Sequence, residues 1–322
     1  MKKLILSALM AAAIFSGVKA QQDPAYSMYM FNGLFINPAY AGSHEVISVM
    51  GIFRDQWVGI DGAPKTVNFS VHSPLRQDQY ALGLVVSNDR LGFSNTLNFT
   101  PSFAYRLRLP HDIRLCFGVQ AGLAYYYQQN SQALTTNNGD PSFGANEKLF
   151  VPNFGAGIYA YGKKFFLGFS VPHLLPTGLN KLSVVTGGDQ VAHMYNQYLF
   201  TAGYVFGKEA SIVKFRPTIL LKYQQGLYKN IPQFDISPAL LFLDRFWLGV
   251  TYRTGGDFAY YGQAVIGFIQ VKVTPQLQIG YAYDAELTSL RHYTSGSHEI
   301  MVGYDFWYNK KRFVTPRFIK YF

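Results

Sequence analysis

Hydrophobic and polar positions alternate with period two along most of the chain. Over residues 96–108, Leu97, Phe99, Phe103, Tyr105 and Leu107 alternate with Asn98, Thr100, Ser102, Ala104, Arg106 and Arg108. Over 276–285, Leu277, Ile279, Tyr281 and Tyr283 alternate with Gln276, Gln278, Gly280, Ala282 and Asp284. Near the end, Ile300, Val302, Tyr304 and Phe306 alternate with Glu299, Met301, Gly303 and Asp305. A strand sends successive side chains to opposite faces, so each segment carries one oily face and one polar or small face. The pattern predicts strands near 46–54, 65–72, 79–87, 96–108, 113–127, 152–161, 164–171, 196–206, 214–224, 233–243, 246–253, 260–272, 275–285 and 297–307. That is about fourteen, an even number as single-chain bacterial barrels use.

A β-sandwich would alternate in the same way, and the connections separate the two. The even-numbered links, 73–78, 109–112, 162–163, 207–213, 244–245 and 273–274, are all short. The odd-numbered links include 55–64, 128–151, 172–195 and 286–296, which are mostly longer and rich in Gly, Asn, Asp and Ser. Short turns at one rim and long loops at the other is the build of an outer-membrane barrel, with the long loops outside the cell. Aromatic residues gather at strand ends, at Tyr125–Tyr127, Tyr159/Tyr161, Tyr252, Tyr260/Tyr261 and Trp307/Tyr308, where amphipathic rings settle at a membrane interface. The expected fold class is therefore all-β: a transmembrane antiparallel β-barrel over 46–308, with both termini in the periplasm.

Composition sharpens this. Aromatic residues make up 17% of the chain and charged residues only 14%, against about 25% charge in an ordinary soluble domain. Residues 1–20 read as a cleaved secretory signal: Lys2 and Lys3, an apolar run over 4–18, then Val18-Lys19-Ala20. Gln21, not Cys, would follow the cut, which argues against a lipoprotein. Beyond this leader no window approaches the ~20 apolar residues of a membrane helix. Loss of Lys2, Lys3 and Lys19 takes the net charge from +10 to +7. The excess gathers in no block except Lys310-Lys311-Arg312 and Arg317/Lys320 in a 309–322 tail. Nucleic acid is therefore not an expected partner; anionic lipid head groups, acidic glycans or simple solubilisation fit better. Residues 21–45 lack alternation and carry Gly33, Pro38 and Gly42, so they read as loop or short helix, either a plug inside the lumen or a periplasmic tail.

Enzymatic and metal chemistry find little support. Cys116 is the single cysteine, and the seven histidines have no metal-ligand spacing, so neither a metal nor a cofactor is expected. His72-Ser73 could form half of a hydrolase site, but Ser73 falls at a short turn away from the outer rim. Gly187-Gly188-Asp189 and Gly255-Gly256-Asp257 lack the Lys and Ser/Thr of a phosphate loop. On the inward faces, Arg106, Arg108, Arg114, Arg216, Lys222 and Arg253 oppose Asp235, Asp284, Glu299 and Asp305, a set that would form a lumen charge network or line a passage. Arg54, Gln56, Trp57 and Asp61 stand at the first outer loop. They are candidates for partner binding, or for a turn at Asp61-Gly62 with Trp57 anchoring the interface.

Two stretches carry a resemblance. Residues 22–42 (QDPAYSMYMFNGLFINPAYAG) and 53–66 (FRDQWVGIDGAPKT) resemble the PorP/SprF family, outer-membrane proteins of Bacteroidetes associated with type IX secretion. The likeness is strongest through about residue 75 and departs at Gly33, where the family usually has Pro. The resemblance implies a barrel of the secretion and gliding machinery. Such a barrel works with other secretion components and receives the C-terminal domain of a secreted adhesin-like surface protein, which it holds at the cell surface. The element Asn37-Pro38-Ala39, with Gly42, is similar to the N-terminal hatch of FadL-like barrels, which implies a plug over 21–45. The same likeness leaves open a transporter of hydrophobic or small polar solutes, with an apolar pocket and a lateral opening at a strand kink at Pro101, Pro217 or Pro238.

Overall fold

A computed structural model describes residues 26–75, 78–130, 146–174, 177–178, 193–194, 196–224, 232–255 and 258–306. The leader 1–20, the tail 309–322, Trp307/Tyr308 and Gly187-Gly188-Asp189 lie outside the described residues. Fourteen strands form the wall: β1 (Ile47–Asp55), β2 (Lys65–Pro74), β3 (Tyr80–Leu91), β4 (Ser94–Leu109), β5 (Ile113–Gln128), β6 (Glu147–Tyr161), β7 (Phe165–Val171), β8 (Gln197–Tyr204), β9 (Val213–Gln224), β10 (Gln233–Phe242), β11 (Phe246–Gly255), β12 (Phe258–Lys272), β13 (Leu277–Glu286) and β14 (Ser297–Phe306). Each pairs antiparallel with its sequence neighbours, and β14 pairs with β1, Arg54 opposite Glu299, so the sheet closes into a barrel. A separate ribbon pairs Thr177–Gly178 with His193–Met194.

Burial is inverted relative to a water-soluble protein. On β11, Phe246, Leu248, Val250 and Tyr252 are exposed while Trp247, Gly249, Thr251 and Arg253 are buried. On β5 the exposed residues include Phe117, Val119 and Leu123, and the inward ones Arg114, Cys116 and Gly118. A sandwich would bury the oily face. Here polar and charged side chains face inward and a band of Phe, Leu, Val and Ile faces out, which lipid solvates and water does not. No helix among the described residues is long and apolar enough to cross a membrane; the strands do the crossing.

The strands differ from their expected bounds mainly on the loop side. β6 starts at Glu147 because Glu147–Val151 continue to pair with Ala124–Gln128. β3 and β4 run up to a two-residue link at Gly92–Phe93, because Asn88–Leu91 pair with Ser94–Leu97. At the opposite rim, His111/Asp112 and Leu243/Asp244 take consecutive positive φ values, the geometry that matches a tight turn to the twist of its strands. The three prolines leave marks in the ladders. β4–β5 pairing lapses between Phe99↔Leu123 and Ser102↔Gln120, around Pro101. β10–β11 pairing lapses between Ile236↔Tyr252 and Ala239↔Gly249, around Pro238. β8–β9 pairing stops at Gly203↔Thr218 and resumes as a single bridge at Phe206↔Phe215, past Pro217. A proline has no N–H to give to the ladder, and register is recovered on the far side each time.

The barrel is filled from within by its own N-terminal segment. Three single helical turns, Tyr29–Phe31, Gly33–Phe35 and Pro38–Tyr40, lie inside the wall with nearly all of their side chains buried. Met28, Tyr29, Met30, Phe31 and Ile36 pack against Met50, Ile52, Trp247, Phe268 and Met301. Leu34, Ala39, Tyr40 and Ala41 pack against Ala81, Ala104, Cys116, Tyr159 and Phe166 on the other side. Fully burying a large apolar side chain stabilises by roughly 1.5–3 kcal/mol, and ordering a residue's backbone costs about 1–2 kcal/mol. Apolar packing therefore offsets only part of the ordering of this segment, and its polar contacts decide how firmly it stays.

Candidate functional site

Those polar contacts begin at the Asn-Pro-Ala element. Asn37 caps the turn by accepting from the Ala39 N–H at 2.9 Å, and its Nδ2 donates to the Ile158 carbonyl at 2.9 Å. The wall makes room with glycine: a Cβ on Gly157 would stand 2.2 Å from Asn37 Oδ1, and one on Gly118 2.2 Å from the Ala39 nitrogen. Gly42 turns the chain with φ of 74°. Asn37 and Ala39 thus lie against β5, β6 and β7, while Gly42 lies apart from them, against Pro74 on β2, Ala81 on β3 and Arg106 on β4.

Two charge clusters tie the segment to the wall. In the half of the lumen nearer the long loops, Arg54 is buried, with Nη2 2.7 Å from Asp284 Oδ2 and Nη1 3.1 Å from Glu299 Oε2. The Glu299 carboxylate also accepts from the Ser27 and Met28 N–H groups, both at 2.8 Å. Arg253 pairs with Asp235 at 3.0 Å, approaches Asp284 at 3.7 Å and donates to the Tyr26 carbonyl at 3.1 Å. Lys222 adds a contact to Asp235 at 3.9 Å. Three cations face three carboxylates, so the cluster is balanced and its lone pairs serve the segment's backbone. In the turn-rim half, Glu45 forms an ion pair with Arg106, lies 3.9 Å from Arg114 and accepts from the Tyr161 hydroxyl at 3.3 Å. His44 bridges Tyr40 at 2.8 Å and Asp305 at 3.2 Å, its ring 5.0 Å from that of His72.

The structure brings Arg54, Arg253, Asp284 and Glu299 together, and sets Arg106 and Asp305 apart from them at the other end. Arg216 has a different neighbourhood: its guanidinium lies 3.9 Å from the centre of the Trp247 ring and 5.3 Å from that of Phe31. Arg108 corrects the sequence reading. It is the next-to-last residue of β4, its side chain is 61% exposed, and it pairs at 3.3 Å with Asp78 at a short turn. Arg54 corrects it too, because it is the next-to-last residue of β1 and its side chain is buried in the lumen, so it presents nothing to an outside partner. Glu45 was missed because no alternation flags the segment that holds it.

At the loop rim, residues 56–64 form a fixed ledge. Val58 exchanges backbone hydrogen bonds at 2.8 Å with Gly296 and Ser295, and the Gly92 N–H donates to Gly62 at 2.8 Å. Trp57 takes φ of 52° and donates from Nε1 to Glu286 at 2.7 Å, Gln56 accepts from Arg54, and Asp61 is exposed. His72 points inward, while Ser73 faces the other way and donates to the Pro74 carbonyl, so the two do not meet as nucleophile and base. Between the segment and the loop rim lies a cavity of about 170 Å³, floored by Tyr26, Tyr29 and Phe35 and walled by β2–β6 and β8–β10.

The sequence profile described as Type IX secretion system membrane protein PorP/SprF matches residues 18–304. The chain belongs to the PorP/SprF family. As a PorP/SprF protein with a closed fourteen-strand wall and an oily exterior, it is an outer-membrane β-barrel of the type IX secretion class. Membership implies interaction with other components of that system. None of the curated proteins matches this PorP/SprF chain. Among solved structures, it is similar to the Acinetobacter baumannii outer membrane protein Omp33, at 10% identity and TM-score 0.44, covering 82% of this chain and 100% of that one. It is also similar to a Pseudomonas aeruginosa FadL homologue, at 12% identity and TM-score 0.44, covering 88% and 95%. A third is a deletion mutant of the TodX monoaromatic hydrocarbon channel, at 8% identity and TM-score 0.45, covering 84% and 92%.

Proposed function

We propose that this PorP/SprF barrel is a closed anchor, not an enzyme. It binds the C-terminal domain of a secreted adhesin-like protein on its loop-rim side and supports that protein's export and retention at the cell surface. The observation that carries the reading is the N-terminal segment. Packed on both sides of the lumen and clamped at both ends, residues 26–45 act as a plug that leaves no need for a through-channel. The long-loop rim faces outside and the turn rim the periplasm. On the outer face the ledge holds Trp57 and Asp61, with Gln56 behind them, in a pre-ordered position, which lowers the entropic cost of docking. Deleting the gene tests this: the partner should be shed into the medium or degraded, and a Trp57→Ala/Asp61→Ala chain should restore retention poorly. Normal display of the partner without the barrel refutes the proposal.

A second reading, solute transport, draws on the ladder interruption at Pro101, where Thr100 and Gly122 also line the cavity. The cavity mixes aliphatic side chains such as Leu34, Ile36, Leu199 and Leu220 with amides and hydroxyls in about equal measure, unlike the wholly apolar lining that suits hydrophobic cargo. Uptake of a labelled hydrocarbon by the parent, lost when Pro101→Val restores the ladder, would favour transport over anchoring.

A further inference from the structure

The loop-side cavity has a chemistry of its own, which partner retention neither requires nor explains. Seven carboxamide side chains line it, contributed by β2, β4–β6 and β8–β10, together with the hydroxyls of Ser87, Thr96 and Thr100, the rings of Tyr26, Tyr29 and Tyr126, and aliphatic side chains including Leu34, Leu199 and Leu220. Its charged liners are one acid and one base, Asp89 and Lys222. Asp89 accepts from Thr66 at 2.6 Å and Lys222 lies 3.9 Å from Asp235. Several amides are already oriented. Asn153 and Gln120 donate to the Pro172 carbonyl at 2.9 and 3.2 Å, and Asn98 donates to Ser87 at 3.1 Å. Asn68 likewise gives its amino group to Tyr26. Among the described residues, the carbonyl oxygens of Asn68 and Asn153 receive no hydrogen bond.

Each ligand class meets this lining differently. A hydrocarbon would strand the amides without partners, and a charged guest would exchange its hydration for a lining of mostly neutral groups, both unfavourable. A guest rich in hydroxyls satisfies donors and acceptors alike, because each hydroxyl does both, and the apolar face of a saturated ring can lie on tyrosine. The volume is below the ~300–1,000 Å³ of drug-sized pockets, room for one ring and not for a folded peptide. We propose that the cavity is a binding site for a neutral sugar ring.

The full chain, purified in an amine-oxide detergent free of sugar head groups, is titrated with glucose, galactose and mannose. N-acetylneuraminate, glucosamine and a neutral heptapeptide serve as comparisons, all read by saturation-transfer NMR. The proposal expects saturable binding of at least one neutral sugar. It also expects about tenfold weaker binding in Asn153→Leu and in Gln197→Leu, the effect of one or two lost hydrogen bonds. Gln197 is half-buried at the start of β8, so its variant keeps the test valid if Asn153→Leu unfolds. The proposal is overturned if no neutral sugar binds, if a charged sugar or the peptide binds more tightly, or if both variants bind like the parent.

Discussion

Removing one carboxylate should free one end of the internal segment. Glu299 accepts from the Ser27 and Met28 N–H groups at 2.8 Å and pairs with Arg54 at 3.1 Å, all out of water. In Glu299→Ala, two backbone donors lose their acceptor, at about 1–3 kcal/mol each if they stay buried. Breaking a buried ion pair costs about 3–5 kcal/mol. The segment can limit the loss by letting go and admitting water, so the net expectation is about 3–5 kcal/mol, localised to 26–31. Opening should then be about 100- to 3,000-fold more frequent. Hydrogen exchange followed by mass spectrometry should show this as lost protection in 26–31, with protection kept in β4 and β5. Glu299→Gln, which keeps an acceptor oxygen but no charge, should fall between. Unchanged exchange at Met28 would refute the clamp, and so would a uniform loss of protection across the whole wall.

Other outcomes follow from the same geometry. Val119, 56% exposed in the middle of β5, faces lipid, so Val119→Arg should lower folding stability in bilayers by about 2–4 kcal/mol, measured by denaturant titration into vesicles, with Gln120→Arg costing less. Gly118→Val should speed exchange at Ala39 and destabilise by about 1–3 kcal/mol through overpacking. Gly267→Ala, whose Cβ would meet nothing within 4 Å, should leave both unchanged. At the turn rim, the Lys163 ammonium holds the Asp112 carboxyl below its ordinary pKa. That pair is present at neutral pH and lost as pH falls through the lowered value; being fully exposed, its loss should not shift the melting temperature, which a pH series checks.

The wall was legible because lipid outside and polar atoms inside impose a strict period two, as on β11 and β14. What failed did so where that rule gives out. Arg54 and Arg108 sit at strand ends, where one residue of extension decides between lumen and rim. β3 and β6 outrun their expected bounds because Asn88–Leu91 and Glu147–Val151 pair past the point where lipid sorts their faces. Residues 26–45 carry no period at all. Asn37, Pro38 and Ala39 could be singled out as a motif, but Glu45 and the contacts of Ser27 depend on a path through the lumen that only the closed barrel defines. Arg216 keeps the inward parity expected of it, and the neighbouring Trp247 and Phe31, far apart in sequence, decide its aromatic surroundings.

Single-site nitroxide scanning along 117–124, in a Cys116→Ser background reconstituted in lipid, tests the inside-out wall most directly. Phe117, Val119, Ala121 and Leu123 should be reached by dissolved oxygen, and Gly118, Gln120, Gly122 and Ala124 should be shielded from it, alternating residue by residue. Uniform access to a water-soluble nickel reagent, or the opposite alternation, would contradict a barrel whose oily face meets the membrane.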